Sequence, residues 1–536
     1  MTLSEFDYVV VGGGSAGCCV AGRLSEDQHT SVCLLEAGGP DNSVFVRAPL
    51  GFAATASLNL NSWGYNTVPQ AGFNGRKGFQ PRGKVMGGSS SINAMVYTRG
   101  NARDYDSWAA LGNPGWSFQD VLPYFKKSEN NECFGATDYR GVGGPLNVSF
   151  LRSPSPLNQL FMKACNEQGI PSNPDYNGAQ QFGVSPGQVT QKDGERWNAA
   201  RAYLDPHRHQ SNLNVISHAH ATQIMFEGKR AVGIKYKVNG VDHEVRARKE
   251  VIVSGGAFGS PQLLMLSGVG PALHLQDLGI PLFHELPGVG QNLQDHITTV
   301  LIYKTQKIND AMGFSLKGAL NMVKAMLEWR SKRTGWITSN VSETQGFVST
   351  EGNNEHPNIQ LALCTGIVDD HARKMHAGHG YTLHVTLMRP QSRGSLTLAS
   401  RNPTDRPLID PAFFKESADM QTLVTATQLG LRVMQSPALS SHRGDMIHAV
   451  DANNPAQIES FLRDHSDTEY HPVGTCKMGP AQDPMAVVDA ELRVHGLQNL
   501  RVIDASIMPH LVTGNTNAPT IMIAEKGVDL IRGARV

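Results

Sequence analysis

Apolar residues in this chain follow two patterns, one continuous and one alternating, and each predicts a different kind of sheet. Residues 8–11 (YVVV) are β-branched or aromatic without a break, as in a parallel strand covered on both faces. The run stops at glycines, and residues 31–36 (SVCLLE) predict the next strand. Residues 251–271 (VIVSGGAFGSPQLLMLSGVGP) repeat the order of strand, glycine turn and helix, with Ser260 and Pro261 expected to start the helix. That repetition predicts a place in the same sheet. Residues 213–248 instead alternate apolar and polar in short segments, which predicts antiparallel strands turning at Gly228. Residues 381–398 alternate in two strands around a polar turn, so a second, antiparallel sheet is expected there. Residues 419–434 and 455–463 read as helices.

Leu316, Ala319, Leu320, Val323, Met326 and Leu327 recur at helical spacing, with Met322 and Trp329 widening the stripe. Two readings remain open for it. The stripe packs on the domain, or it lines an entry path or meets a membrane surface beside Lys324, Arg330, Lys332 and Arg333. From residue 37 to about 84 the chain is rich in Gly, Pro and Asn and reads as a long ordered loop. It leads into residues 81–93 (PRGKVMGGSSSIN), where glycines and hydroxyls are expected to open a helix and offer donors to a second phosphate or a ring edge.

The glycines after the first strand carry chemistry. Gly12, Gly14 and Gly17 have the G-x-G-x-x-G spacing: one turns the chain, one lets a pyrophosphate approach, one lets helix pack on strand. Unpaired N–H groups at the helix start would hold the anion. Glu36 ends the second strand, where an acid accepts hydrogen bonds from a ribose. The same residues match G-x-S-x-G around Ser15, but a nucleophile elbow on the first strand of a chain is out of position.

With 536 residues, two large domains are expected. Lys plus Arg equals Asp plus Glu, 47 each, so no global field draws nucleic acid. Seven scattered cysteines without metal-ligand spacing predict reduced thiols. With a nucleotide strand inside the first ten residues, a signal peptide has no room, and the expected location is cytoplasmic, with peripheral attachment to the inner membrane as an option. His371, His376 and His379 beside Asp369 and Asp370 suggest a metal site, but the polar, glycine-flanked setting reads as a mobile loop, and no metal is expected.

Two further positions lie near the C-terminus. His471 sits between Tyr470 and Pro472 without helical periodicity, so a loop presents a ring that can take a proton near neutral pH. Asn515, in TGNTN, can donate or accept a hydrogen bond but cannot act as a base.

Taken with GGGSAG (12–17), GKVMGGSSSIN (83–93), GGAFGSPQLLMLSGVGP (255–271), HPVGTCKMG and GNTNAPTIMIAEK, the chain resembles the glucose-methanol-choline (GMC) family of FAD oxidoreductases over essentially its whole length. The resemblance implies an α/β fold: a Rossmann-like FAD-binding domain with a parallel sheet (1–155, 210–300, 465–536) and an α+β substrate domain on an antiparallel sheet (155–210, 300–465). It implies that His471 is the base toward an alcohol and Asn515 its hydrogen-bonding partner, with hydride passing to flavin N5. Ser15, Glu36, Gly88, Asn93, Val96, Ala221, Thr222, Asp504, Ala505 and Thr516 then join the glycines as FAD contacts. Ile92 stands where some choline-oxidising members carry a flavin-linked histidine, so FAD is expected to be non-covalent. The blocks look most like bacterial alkanol and choline dehydrogenases, implying a primary alcohol as substrate and a quinone or other electron acceptor, with oxygen as the alternative. Glu343 is the one acid in its segment that suggests choline.

Overall fold

The computed structural model describes residues 4–533. Two seven-stranded sheets organise them. In the first, Leu213–Ile216, Val32–Leu35, Ser4–Val11, Val241–Val253 and Leu500–Val502 run parallel, and Arg230–Val238 and Ala219–Glu227 extend it antiparallel. Val9, Val10 and all of Val32–Leu35 are buried, as continuous apolar runs require of strands covered on both faces. The helices Ser15–Ser25 and Asn517–Arg532 pack together within this core. Arg23 reaches the fully buried Glu525 at 2.7 Å, and Tyr203 donates to the same carboxylate at 2.8 Å.

The second sheet is antiparallel throughout, in the order Asp467–Thr468, Ile297–Thr305, Gly378–Leu387, Ile359–Cys364, Ser342–Val348 and Gly183–Pro186, with Gly313–Phe314 on the side. Both faces of Gly378–Leu387 are buried, but the chemistry alternates. Leu383, Val385 and Leu387 join an apolar core with the helix Ser417–Gln435, whereas Thr382, His384 and Thr386 point the other way. That other face lines the site described below.

Several expectations are corrected. The strands read in 381–398 are not a hairpin: Gly378–Leu387 pairs with Ile297–Thr305 and Ile359–Cys364, and Ser395–Thr397 pairs separately with Leu408–Asp410. The helix expected to start at Ser260 and Pro261 begins at Gly256 and carries Pro261 inside it. Proline cannot donate to the Ala257 carbonyl, and Thr475 Oγ1 does so instead at 2.5 Å. The helix expected from residues 81–93 is one 3-10 turn, Gly88–Ser91, entered through left-handed Gly87 and Gly88. The loop before it holds the short helices Val44–Arg47 and Gly51–Ser57.

Only part of the apolar stripe packs on the domain. In the helix Leu316–Lys332, Gly318 and Ala325 are buried and Met322 and Trp329 pack beside Ala48 and Ile337, forming the inward face. Leu316, Leu320, Val323, Met326 and Leu327 are all more than half exposed. Among the described residues no helix is long and apolar enough to cross a membrane. All seven cysteines are free.

Candidate active site

His471 lies in the loop after Asp467–Thr468, and Asn515 in the turn before the helix Asn517–Arg532. Across 44 residues the side chains meet, Asn515 Nδ2 lying 3.1 Å from His471 Nε2. The backbone N–H of His471 donates to Asp295 Oδ1 at 2.8 Å, fixing the loop. The other Asp295 oxygen accepts from Gln80 Nε2 (2.8 Å) and Thr468 Oγ1 (2.5 Å). Burial lifts this carboxyl to about 6.

His296, fully buried, settles which His471 nitrogen carries the proton. Its Nε2 lies 3.1 Å from the Met388 carbonyl, which can only accept, so Nε2 is protonated. Burial lowers the pKa of His296 to about 4, so its ring is neutral and its Nδ1 is an acceptor. That Nδ1 lies 2.9 Å from His471 Nδ1, which therefore holds the proton. His471 is itself neutral, its pKa held well below the usual histidine value by burial and then by His296 and Arg82. Its Nε2 carries the lone pair, which accepts from Asn515 Nδ2. Asn515 is oriented to match: its Oδ1 accepts from Thr98 Oγ1 (3.0 Å) and Gln360 Nε2 (3.3 Å), which turns the NH2 group toward His471.

A cavity of about 1050 Å³ runs from the Gly12–Ser15 turn to His471 and Asn515. Gly12, Gly14, Ser15, Glu36, Gly88, Asn93, Val96, Ala221, Asp504, Ala505 and Thr516 line it; Gly17 and Thr222 do not. Gly17 has another function, since a Cβ there would stand 1.8 Å from the Gly12 carbonyl oxygen. Thr222 points its hydroxyl at the Lys235 carbonyl. Three features fit a dinucleotide. No side chain caps the helix that starts at Ser15, so its first N–H groups face the cavity unpartnered by a cap. Gly14 and Gly88 face each other, and a Cβ on Gly14 would meet only the Gly88 Cα, at 4.0 Å. The Glu36 carboxyl, which accepts from Gly13 N (2.8 Å) and Gly38 N (2.7 Å), is raised to about 7 by burial. Ser15 Oγ donates to Asn517 Oδ1 at 2.7 Å, joining the two ends of the chain at the cavity wall.

Other sequence candidates disperse. Glu343 is buried off the cavity, accepting from Ser155 N (2.7 Å) and Asn158 Nδ2 (2.6 Å). The acid on the cavity wall beside His471 is Glu469, paired with His384 at 3.3 Å. The three loop histidines do not converge: His376 bonds Asp369, His379 bonds Ser315 and the Ala311 carbonyl, and His371 contacts Tyr470 and Asp467. Sequence reasoning missed His296, Thr98 and Gln360. The only local signal for His296 is its place in an Asp-His pair just before a strand.

A family model described as GMC oxidoreductase matches residues 6–298, and a second of that description matches residues 390–524. The chain belongs to the GMC oxidoreductase family. It is 44% identical over 532 residues to an alcohol dehydrogenase (acceptor) of Pseudomonas putida, covering 98% of this chain and 95% of the relative. It is also 44% identical over 538 residues to the mitochondrial choline dehydrogenase of Homo sapiens, covering 99% and 90%. Among solved structures, an FAD-dependent oxidoreductase from Chaetomium thermophilum superposes with a TM-score of 0.89 at 28% identity, covering 98% of this chain and 99% of that one. As a GMC oxidoreductase the protein is an FAD-dependent enzyme acting on the CH–OH group of its donor.

Proposed function

We propose that this GMC oxidoreductase oxidises a primary alcohol, aliphatic or aromatic, to its aldehyde. His471 Nε2 takes the hydroxyl proton and Asn515 Nδ2 orients the alcohol oxygen. The observation that carries this reading is the chain from the Met388 carbonyl through His296 to His471, which leaves Nε2 as an unprotonated acceptor inside the cavity. FAD, held by the residues that line the cavity, would accept the carbinol C–H hydrogen with its electron pair as hydride, while His471 takes the hydroxyl proton. Gly12, Gly14, Ser15 and Glu36 would hold its dinucleotide part, and Gly88, Asn93, Val96, Ala505 and Thr516 would border the ring. Ile92, on the cavity wall, offers no atom for a covalent link, so FAD stays dissociable. The proposed flavin domain comprises residues 1–155, 210–300 and 465–536.

Anaerobic mixing of alcohol with enzyme in which His471→Ala has been made tests the base. We expect flavin bleaching slowed by about 10² to 10⁴-fold; bleaching at the native rate overturns the assignment. Choline is disfavoured, since Glu469 is already paired with His384 and presents no uncompensated negative charge to a quaternary ammonium. The electrons are proposed to pass to a quinone or similar carrier, as the acceptor-dependent relative's name suggests. Reduction of an artificial acceptor without matching oxygen uptake supports that; stoichiometric oxygen uptake makes the protein an oxidase.

The exposed stripe supports peripheral contact with a membrane. Met322, Met326, Trp329 and Arg330 line the cavity from the same helix that presents Leu316, Leu320, Val323 and Leu327 outward. An apolar ridge flanked by Lys317, Lys324 and Lys332 matches the interface of an anionic bilayer.

A further inference from the structure

The alcohol-oxidising reading assigns a role to one end of the cavity and none to the His384–Glu469 pair. Both residues line the cavity. His384 is nine-tenths buried, its Nδ1 lies 3.3 Å from Glu469 Oε2, and its Nε2 has no hydrogen-bond partner among the described residues. Burial works against charge on this ring, but Glu469 first and then Cys364 outweigh burial and hold its pKa well above the usual histidine value. A charged ring with an unpartnered buried N–H is costly unless a ligand supplies the acceptor.

The sheet register fixes where that donor lies relative to the reacting oxygen. Gln360, which touches Asn515, is paired with Thr386, and Ala362 is paired with His384. His384 is thus displaced from the Gln360–Thr386 pair by two residues, about 7 Å along the strand and on the same face. Cys364 and Ala362 extend that face, and Met312, Val341, Ile367 and Val368 add apolar wall.

We propose that His384, held by Glu469, is a specificity residue that donates from Nε2 to a second oxygen on the substrate. The substrate class is then an apolar primary alcohol bearing an ether, hydroxyl or carbonyl oxygen about five or six bonds from the carbinol oxygen, the reach of an extended chain over that distance. Glu469 keeps the ring oriented and the pair neutral overall, so the subsite takes an uncharged acceptor. This inference rests on alcohol oxidation at His471.

Isosteric pairs test it: ω-methoxyalkan-1-ols against n-alkan-1-ols with the same number of heavy atoms, from 3-methoxypropan-1-ol with pentan-1-ol up to 6-methoxyhexan-1-ol with octan-1-ol. Each pair exchanges one methylene for an oxygen. The ratio of kcat/KM, ether over alkanol, is expected to peak sharply at one intermediate length. In His384→Phe, which keeps a ring but no donor, that peak ratio should fall at least tenfold, since a hydrogen bond to a charged group contributes more than a tenfold factor. Glu469→Gln, expected to lower the same ratio, stands in if the first variant fails to retain flavin. A ratio flat across chain lengths, or a peak that survives in the variant that folds, overturns the subsite while leaving alcohol oxidation intact. No turnover of any alcohol in either series removes the underlying reading and this one with it.

Discussion

At His471, the proposed base, two demands compete: a buried base must be unprotonated, and its ring must still be held by hydrogen bonds. His296 meets both by accepting from Nδ1 and so confining the lone pair to Nε2. Replacing it with alanine leaves the His471 Nδ1–H buried without an acceptor and frees the ring to adopt the other tautomer. We expect His296→Ala to lower kcat on the order of 10²-fold with KM changed much less, as for loss of a correctly held general base; equal losses in binding alone would contradict the role. The protonation state also sets a pH dependence. An unperturbed histidine titrates near 6.5, and burial, His296 and Arg82 all push His471 below that. Because only the neutral ring accepts a proton, kcat/KM should hold steady as pH falls to 6.5 and decline only in more acid solution. An acid limb at or above 6.5 in the measured profile would count against the assignment. His471 and Asn515 were singled out because their loops match motifs that the family resemblance assigns to the base and its partner. His296 was not, because its role depends on a carbonyl 92 residues away and a ring 175 residues away.

The helix Leu316–Lys332 shows what periodicity can and cannot say about an element. Its helical spacing was plain, and Ser315 caps it by accepting from Gly318 N at 2.9 Å. Yet apolar residues lie on two faces. Gly318, Met322, Ala325 and Trp329 recur at steps of four, three and four and face the protein, whereas Leu316, Leu320, Val323 and Leu327 follow the same steps one ridge over and face outward. No pattern in one sequence distinguishes these ridges, because both are apolar and only the neighbours differ. The outward ridge predicts that wild-type protein co-floats with vesicles containing anionic lipid. Leu320→Glu with Leu327→Glu, both at exposed positions, should abolish flotation while leaving the melting temperature within a degree or two, since neither side chain is in a core. Flotation unaffected by the double substitution would reject the membrane surface. The same limit applies to 381–398: alternation identified an antiparallel sheet, but the first strand pairs with residues 297–305 and 359–364 and the second with 408–410.

For the whole molecule, the long cavity links parts of the chain that local structure would leave independent. Its walls come from residues 12–16, 88–96, 219–221, 254–259 and 504–517, and the Ser15–Asn517 hydrogen bond spans 502 positions. The glycine turn announced a nucleotide site from sequence alone, since Gly12 and Gly17 are needed for their backbone geometry whatever surrounds them. That the site's far wall is the C-terminal loop was legible only through the family resemblance. If FAD touches all these segments, as proposed, it binds the folded state and not the unfolded one and stabilises by mass action, by about 2.7 kcal/mol at a hundredfold excess over its Kd. If the flavin is dissociable, as proposed, acid precipitation should leave the pellet colourless. The apoprotein obtained by gentler removal should melt several degrees lower and recover on adding FAD. Hydrogen exchange separates this coupling from simple local binding: FAD should slow exchange in residues 12–17 and 513–517 together and with the same concentration dependence. Protection confined to the glycine turn would mean that the cofactor does not reach the His471 end, and the proposed chemistry would lose the acceptor it requires.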